Sequence, residues 1–253
     1  MSLVVTDAVV LHAMDYLDSS RILRLSTRAA GVVAVLARGA RRARNKFGSS
    51  LDLFVQGTAH IQVKPSRDLQ TLVNFDITRS RSALSLDLER FSAASAFAEL
   101  TLRVAQDAAH EALFDLVTST LDAVAGASAD TIRTEAIGGC WRLVAELGFA
   151  PVLERCCMCH AEVGQGDDLA FSYAGGGIVC QRCVRTVAPD RQLPATARQA
   201  IRSWLAGDTA HVPGEPERRA HLRLLREFAS HHVDDDRELR AFLNWERGAL
   251  SNA

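Results

Sequence analysis

No hydrophobic run in this chain reaches the roughly 18–20 residues that a membrane-crossing helix needs, so no membrane partner is expected. The opening residues, MSLVVTDAVVL, lack the basic stretch and small-residue cleavage site of a secretory leader, which makes the cytoplasm the expected address. In that reducing compartment, paired cysteines mean metal or redox chemistry rather than disulfide staples. Aromatics are sparse at 6%, yet 48% hydrophobic content is ordinary for a globular chain and excludes wholesale disorder. Lysine is nearly missing, with only Lys46 and Lys64. Genome composition alone accounts for such a bias, and no function follows from it. HExxH, the P-loop, GxGxxG and GxSxG are absent too, which removes the commonest sequence signs of hydrolase, nucleotide and dinucleotide chemistry.

One further absence is informative. Between Asp18 and Asp52 there is no acidic residue, while the same stretch carries Arg21, Arg24, Arg28, Arg38, Arg41, Arg42, Arg44 and Lys46. Acidic residues gather later, at Glu215, Glu217 and Asp234–Asp236, so a formal net charge of −1 conceals a cationic N-terminal region.

The first third reads as strands. LVVTDAVVL (3–11), ILRL (22–25), VVAVLA (32–37), AHIQV (59–63) and LQTLVNFDI (69–77) are short, rich in β-branched residues or alternating, and Gly31, Gly39, Gly48 and Gly57 fall between them as turn residues. Strands this close together, with no long helix between them, suggest a small closed barrel of about 80 residues. From Asp87 onward the apolar period becomes helical, first from Phe91 to Val124. Ser128–Asp130 reads as a helix start, Ile137, Trp141, Val144 and Ala145 share a face, and Gly148 and Pro151 stop that helix. Helical spacing returns at Ala197–Leu205, Leu222–Ala229 and Leu239–Leu243. The expected organisation is α+β and multidomain: a β-barrel over residues 1–80, a helical domain over 81–253, and a loop-rich module at 154–188 inserted within it.

That module holds Cys156-x-x-Cys159 and, after a twenty-residue spacer, Cys180-x-x-Cys183. Each CxxC turn presents two thiolates from one knuckle, and two knuckles close the tetrahedron that zinc prefers. LAFSYAGGGIVC reads as two strands around a Gly175–Gly177 turn, the hairpin of a zinc ribbon. Four sulfur ligands leave no open position, so the expected cofactor is a structural zinc ion and no catalytic residue is assigned. A rival register, Cys157 with His160, has the same spacing and stays open. His160-Ala161-Glu162 followed by CxxC also resembles the zinc deaminase signature. Val179 stands where that signature has proline, however, and Cys156 and Cys159 would have no role. His231-His232 before Asp234–Asp236 is a weaker cation candidate. Lone Cys140, beside Trp141, reads as a buried apolar residue.

Arg38-Gly-Ala-Arg41-Arg42-Ala-Arg44-Asn-Lys46-Phe47 directly follows a strand and reads as an exposed basic loop. Small barrels of the OB type bind single strands with such loops, and Phe47 and Phe54 are either stacking residues or barrel core. ARGARRARNKFGSSLDLF (37–54), LVAELGFAPVLERCCMCH (143–160) and CQRC (180–183), in that order, resemble the RecO family of bacterial DNA-repair proteins over nearly the full length. The resemblance implies an N-terminal OB-fold barrel, a helical remainder with a zinc ribbon and no turnover site. It implies binding of single- and double-stranded DNA at the nucleoid and annealing of complementary strands. With RecR, and often RecF, such proteins assist RecA loading onto DNA coated by single-strand binding protein. The basic surface of the barrel would then fall on Arg38, Arg41, Arg42, Arg44 and Lys46. A different zinc-ribbon accessory factor of transcription or translation is the alternative binding protein.

Overall fold

The computed structural model describes residues 2–42, 47, 51–104, 109–232 and 238–251, with side chains to 248. The described chain divides into two compact units, Met1–Gly126 and Ala127–Ala253, the first strand-rich and the second mainly helical.

In the first unit, strands β1 (Ser2–Tyr16), β2 (Ser20–Thr27), β3 (Gly31–Ala37), β4 (Gln56–Val63) and β5 (Leu69–Arg79) form a closed barrel in the order β1-β2-β3-β5-β4. Closure depends on the length of β1. Its first half pairs with β4 from Ser2 to Val9 and its second half with β2 from Ala8 to Tyr16, with a bulge between Val10 and His12 where the strand bends. That bulge breaks the alternation, which is why the apolar pattern alone ends this strand five residues early. Inward residues alternate along the strands (Ala8, Val10, Leu23, Leu25, Val35, Ala37, Ala59, Ile61, Leu72 and Phe75) and form one buried cluster with Phe47, Leu51 and Val55. Gly57 lies inside β4 rather than in a turn. A Cβ there would meet the Asp76 carbonyl and come within 2.6 Å of the Phe75 ring.

Among the described residues, three helices complete the unit: α1 (Ala83–Leu86), α2 (Leu88–Val104) and α3 (Glu111–Gly126). Asp87 Oδ1 accepts from the Arg90 N–H at 2.8 Å, which supplies one of the bonds that a helix start lacks. Arg81, only 6% exposed, binds Asp122 of α3 at 2.6 Å, the Phe54 carbonyl at 3.0 Å and Gln56 at 2.8 Å, so its buried charge is fully engaged in tying α3 to the barrel.

In the second unit, α4 (Ile132–Val144) packs against α5 (Ala195–Leu205) and α6 (Glu215–His232), and α6 packs against α7 (Arg240–Ser251). Ser128 does not cap α4. It closes a turn with Thr131, accepting from the Thr131 N–H at 3.0 Å, and the helix begins at Ile132. Gly138 gives Trp204 its place, because a Cβ there would lie 2.7 Å from the indole. One π turn (Ala145–Phe149), with Gly148 at φ +90°, ends α4 and turns the chain into the cysteine module. There β6 (Leu169–Ser172), β7 (Gly177–Val179) and β8 (Arg191–Leu193) form a three-stranded sheet in the order β7-β6-β8. Gly177 belongs to β7 rather than to the turn, and β8 adds a strand that the apolar pattern does not reveal. Cys140 is fully buried, and burial pushes its thiol well above the ordinary range. Among the described residues no helix is long and apolar enough to cross a membrane.

Candidate metal centre and nucleic-acid interface

Two knuckles meet because the module folds back along β7. Val152 donates to the Gly176 carbonyl at 2.9 Å, and Cys157 N–H donates to Ile178 at 2.8 Å, which lays the first CxxC beside the strand that ends at Val179. Cys180 follows immediately. The first knuckle is itself a tight hairpin: Cys156 N–H donates to Ala161 (2.8 Å), His160 N–H donates to Cys156 (2.9 Å), and His160 sits at φ +58°. The second closes over a short 3₁₀ turn, Cys183–Arg185, with Val184 N–H donating to Cys180 at 3.0 Å.

The sulfurs of Cys156, Cys159, Cys180 and Cys183 all lie within 4.8 Å of one another. Cys159 Sγ and Cys180 Sγ are 3.8 Å apart. Zinc–thiolate bonds of about 2.3 Å in a tetrahedron require a sulfur–sulfur edge of about 3.8 Å, so the residues present fit that ion. Backbone donors also point at the sulfurs, including Cys180 N–H to Cys156 Sγ at 3.4 Å. The Ala161 N–H, followed by the Arg182 guanidinium and the Cys183 thiol, lowers Cys159 to about 6. Beside it, the hydrogen bond with Cys159 and then burial push Cys183 up to about 12. Arg182, whose own pKa rises through its bonds to Cys159 and Cys183, places a positive charge where a four-thiolate centre is anionic.

Cys157 and His160 are not part of this group of four. The Cys157 thiol points toward the β6–β7 turn, where a Cβ on Gly175 would come within 2.8 Å of it. His160 is exposed, and Arg155 and Glu162 pair across the hairpin backbone. A deaminase arrangement, which needs the histidine on the metal beside an open position, has no counterpart in these four sulfurs. His232 stacks on Phe149 at 5.5 Å, and its proposed acidic neighbours, Asp234–Asp236, lie outside the described residues.

A network not foreseen from the cysteine spacing anchors the module. Glu227 of α6 accepts two bonds from Arg191 of β8, at 2.6 and 2.7 Å, and one from the Tyr173 hydroxyl at 2.5 Å. Burial alone would raise the Glu227 pKa, but the Tyr173 and Arg191 bonds outweigh it and hold the carboxylate below its ordinary range. Phe171 of β6 packs at a tilt against Phe228 of α6, 5.7 Å between centroids, and Phe228 in turn meets Trp141 at 5.3 Å. The ribbon sheet is thus built into the core of its helical unit.

On the first unit, Arg38, Arg41 and Arg42 stand exposed on the turn that leaves β3, while Arg44 and Lys46 lie outside the described residues. Gly39, at φ +73°, makes that turn possible, and Arg42 N–H donates back to Gly39 at 3.0 Å. Arg41 N–H donates to Ser19, joining the turn to the β1–β2 hairpin tip. Its guanidinium reaches Asp15 at 3.3 Å and the Leu17 carbonyl at 3.4 Å. The remaining cations of the acid-free stretch have structural partners: Arg21 with Asp15 at 3.3 Å, Arg24 with the Leu102 carbonyl at 3.2 Å, and Arg28 with Asp115 at 2.6 Å. Phe47 and Phe54 are 4% and 1% exposed, so both are core residues and neither can stack on a base.

The described chain thus joins a strand-rich unit with an exposed cationic turn to a mainly helical unit that carries two CxxC knuckles. Two family models match in succession: "Recombination protein O N terminal" over residues 1–81 and "Recombination protein O C terminal" over residues 85–240. The DNA repair protein RecO of Anaeromyxobacter sp. (strain K) is 33% identical over 252 residues, 97% of each chain. That of Rhodopirellula baltica is 32% identical over 214 residues, 83% of this chain and 75% of that one. That of Syntrophotalea carbinolica is 34% identical over 188 residues, 72% of this chain and 70% of that one. The chain belongs to the RecO family, a family of DNA-repair proteins and not of enzymes.

Proposed function

We propose that this protein binds single- and double-stranded DNA through an N-terminal barrel of the OB type, anneals complementary strands, and with RecR and RecF helps RecA load onto DNA coated by single-strand binding protein. In this reading residues 1–80 are the DNA-binding domain, 81–253 the helical domain and 154–188 a zinc ribbon inserted in it. The observation that carries the reading is the exposed cationic turn Arg38, Arg41 and Arg42 at one end of the barrel, with Arg44 and Lys46 continuing it in sequence. Annealing needs no bond-making residue. A cationic surface that holds two strands together lowers their mutual repulsion and raises the effective concentration of one near the other.

Cys156, Cys159, Cys180 and Cys183 would hold zinc as a purely structural ion, since four thiolates leave no position for water or substrate. When bound, the ion supplies a cross-link between the knuckles and neutralises part of the thiolate charge. The ribbon then keeps β6 and β8 in place against Glu227 and Phe228 of α6. The test is annealing of complementary oligonucleotides, bare and coated with single-strand binding protein, without ATP and at two salt concentrations. Annealing should proceed, weaken as salt rises, and fall in an Arg41→Glu/Arg42→Glu variant. Annealing indifferent to both salt and charge reversal would remove the electrostatic basis of the reading.

A further inference from the structure

The barrel's outer face has an apolar strip where a small barrel is ordinarily polar. Inward residues of β1–β3 (Ala13, Leu23, Val35 and Ala37) belong to or pack on the core, so their neighbours point outward. Cross-strand pairing then arranges the outward residues in rows. Met14 of β1 lies beside Ile22 of β2, and Ile22 beside Leu36 of β3. Along β1 the strip continues to Tyr16 and the hairpin residue Leu17, which are 39% and 74% exposed, and Met14 is 50% exposed. Basic residues stand at its hairpin end, while one row away His12 pairs across the strands with Arg24, whose guanidinium is held by the Leu102 carbonyl. Exposed Arg38 opens the turn just beyond the end of β3, and the Arg41 backbone is bonded to the hairpin tip at Ser19 while its guanidinium pairs with Asp15. The barrel's other exposed apolar residues on β1, Leu3 and Val5, lack this setting: their β4 partners are Gln62 and His60, and His60 faces Asp76 at 3.4 Å.

We propose that the Met14–Ile22–Leu36 strip with Tyr16 receives unpaired nucleobases, so that this face distinguishes single-stranded from duplex DNA. The inference rests on the DNA-binding reading above and adds the form of DNA the site selects. Charge complementarity selects the occupant: a single strand offers planar apolar bases for the strip and phosphates for the exposed basic turn that begins at Arg38. In a duplex the base faces are stacked on one another and only phosphates and groove edges remain accessible, so cations still attract it but the strip has nothing to hold. Anchoring a few bases leaves the rest of the strand free to pair, which suits annealing.

The test compares an unpaired oligonucleotide of about 20 nucleotides with its duplex, titrated by fluorescence anisotropy against the full-length, zinc-replete protein. Base stacking on an aromatic side chain predicts that Tyr16→Ala lowers single-strand affinity about tenfold and duplex affinity less than about twofold. Met14→Ser should act in the same direction and Tyr16→Trp should restore binding, while Arg38→Glu should weaken both forms. Both apolar positions are exposed, so these variants should keep the wild-type circular dichroism; should Tyr16→Ala misfold, Met14→Ser and Tyr16→Trp carry the comparison. Single-strand affinity unchanged in both Tyr16→Ala and Met14→Ser, or lost in step with the duplex, overturns the stacking assignment while leaving DNA binding intact. A wild-type protein that binds neither form overturns the underlying reading as well.

Discussion

The cysteine module and the cationic turn use charged groups in opposite ways. In the module the sulfurs of Cys156, Cys159, Cys180 and Cys183 converge within 4.8 Å of one another, with backbone N–H donors and Arg182 around them, and in the proposed reading a cation at the centre holds the group together. On the barrel, Arg38, Arg41 and Arg42 are exposed, the turn is held by backbone bonds at Gly39 and Ser19, and Arg41 makes a half-exposed pair with Asp15. In the proposed reading these charges stay hydrated until phosphate replaces water. The first arrangement is therefore part of the fold, and losing one member should dismantle it. The second is carried by a fold that is complete without it, and its losses should be graded.

The largest effect should come from the metal. Structural zinc contributes about 10–16 kcal/mol in small zinc peptides, and in the proposed reading the loops that carry the two knuckles depend on a contribution of that kind. Cys156→Ser should lose the ion and abolish protection of β6–β8 in hydrogen exchange, with amide protection of the barrel strands unchanged. Elemental analysis and exchange mass spectrometry together check this. Loss of protection in both units at once would show that the contrast between them is false.

Next in size is His221, 5% exposed on α6 and packed edge-on against Trp204 at 4.9 Å, with no partner for its Nδ1 among the described residues. Burial lowers its pKa to about 4 from an ordinary 6.5. A histidine depressed in the folded state contributes its full stability above about pH 6.5 and loses it as pH falls toward 4, about 3 kcal/mol in all. His221→Phe should flatten that part of the acid dependence of thermal unfolding. Because acid also displaces metal from thiolates, the decisive quantity is the difference between variant and parent at each pH. Equal acid sensitivity in the two would exclude His221 as its source.

Legibility in the sequence follows the same division. The CxxC spacing is local, and it names all four sulfurs, since ligand geometry dictates residue type and separation within each knuckle. It does not reveal β8 or the Arg191–Glu227–Tyr173 anchor, whose members are up to 54 residues apart and are ordinary polar residues when read singly. Strand positions in the barrel are legible from alternation, but the bulge after Val10 hides the second half of β1, and with it Met14 and Tyr16. Phe47 and Phe54, the aromatics nearest the basic run, are drawn into the core, and Phe54 at φ +67° sits where no propensity rule would place it. Charge counting also overstates the interface. Arg21, Arg24 and Arg28 belong to the acid-free run, yet each has a partner within the fold.

Gly57→Ala tests the barrel's own integrity. The added methyl would press on the Asp76 carbonyl and the Phe75 ring, and overpacking of this kind costs about 1–3 kcal/mol. Chemical denaturation should show the loss in the first unit alone, with zinc retained. A neutral result would mean that β4 and β5 separate easily at that point and that closure of the barrel contributes little.

The smallest effect on stability, and the sharpest on function, should come from Arg38→Glu/Arg41→Glu/Arg42→Glu. The Arg41–Asp15 pair is half exposed, and such pairs contribute about 0–1 kcal/mol, so the unfolding midpoint should scarcely move. DNA binding should respond differently. Each phosphate contact on a single strand contributes about −0.7 to the slope of log affinity against log salt, so losing three should make that slope shallower by about 2. Between 50 and 200 mM salt this is a difference of about one decade in how steeply affinity falls. Equilibrium titrations across that range, on a variant whose unfolding curve matches the parent, separate the two outcomes. A slope that stays the same while affinity drops would place the phosphate contacts elsewhere on the protein and leave these three arginines acting only by long-range attraction.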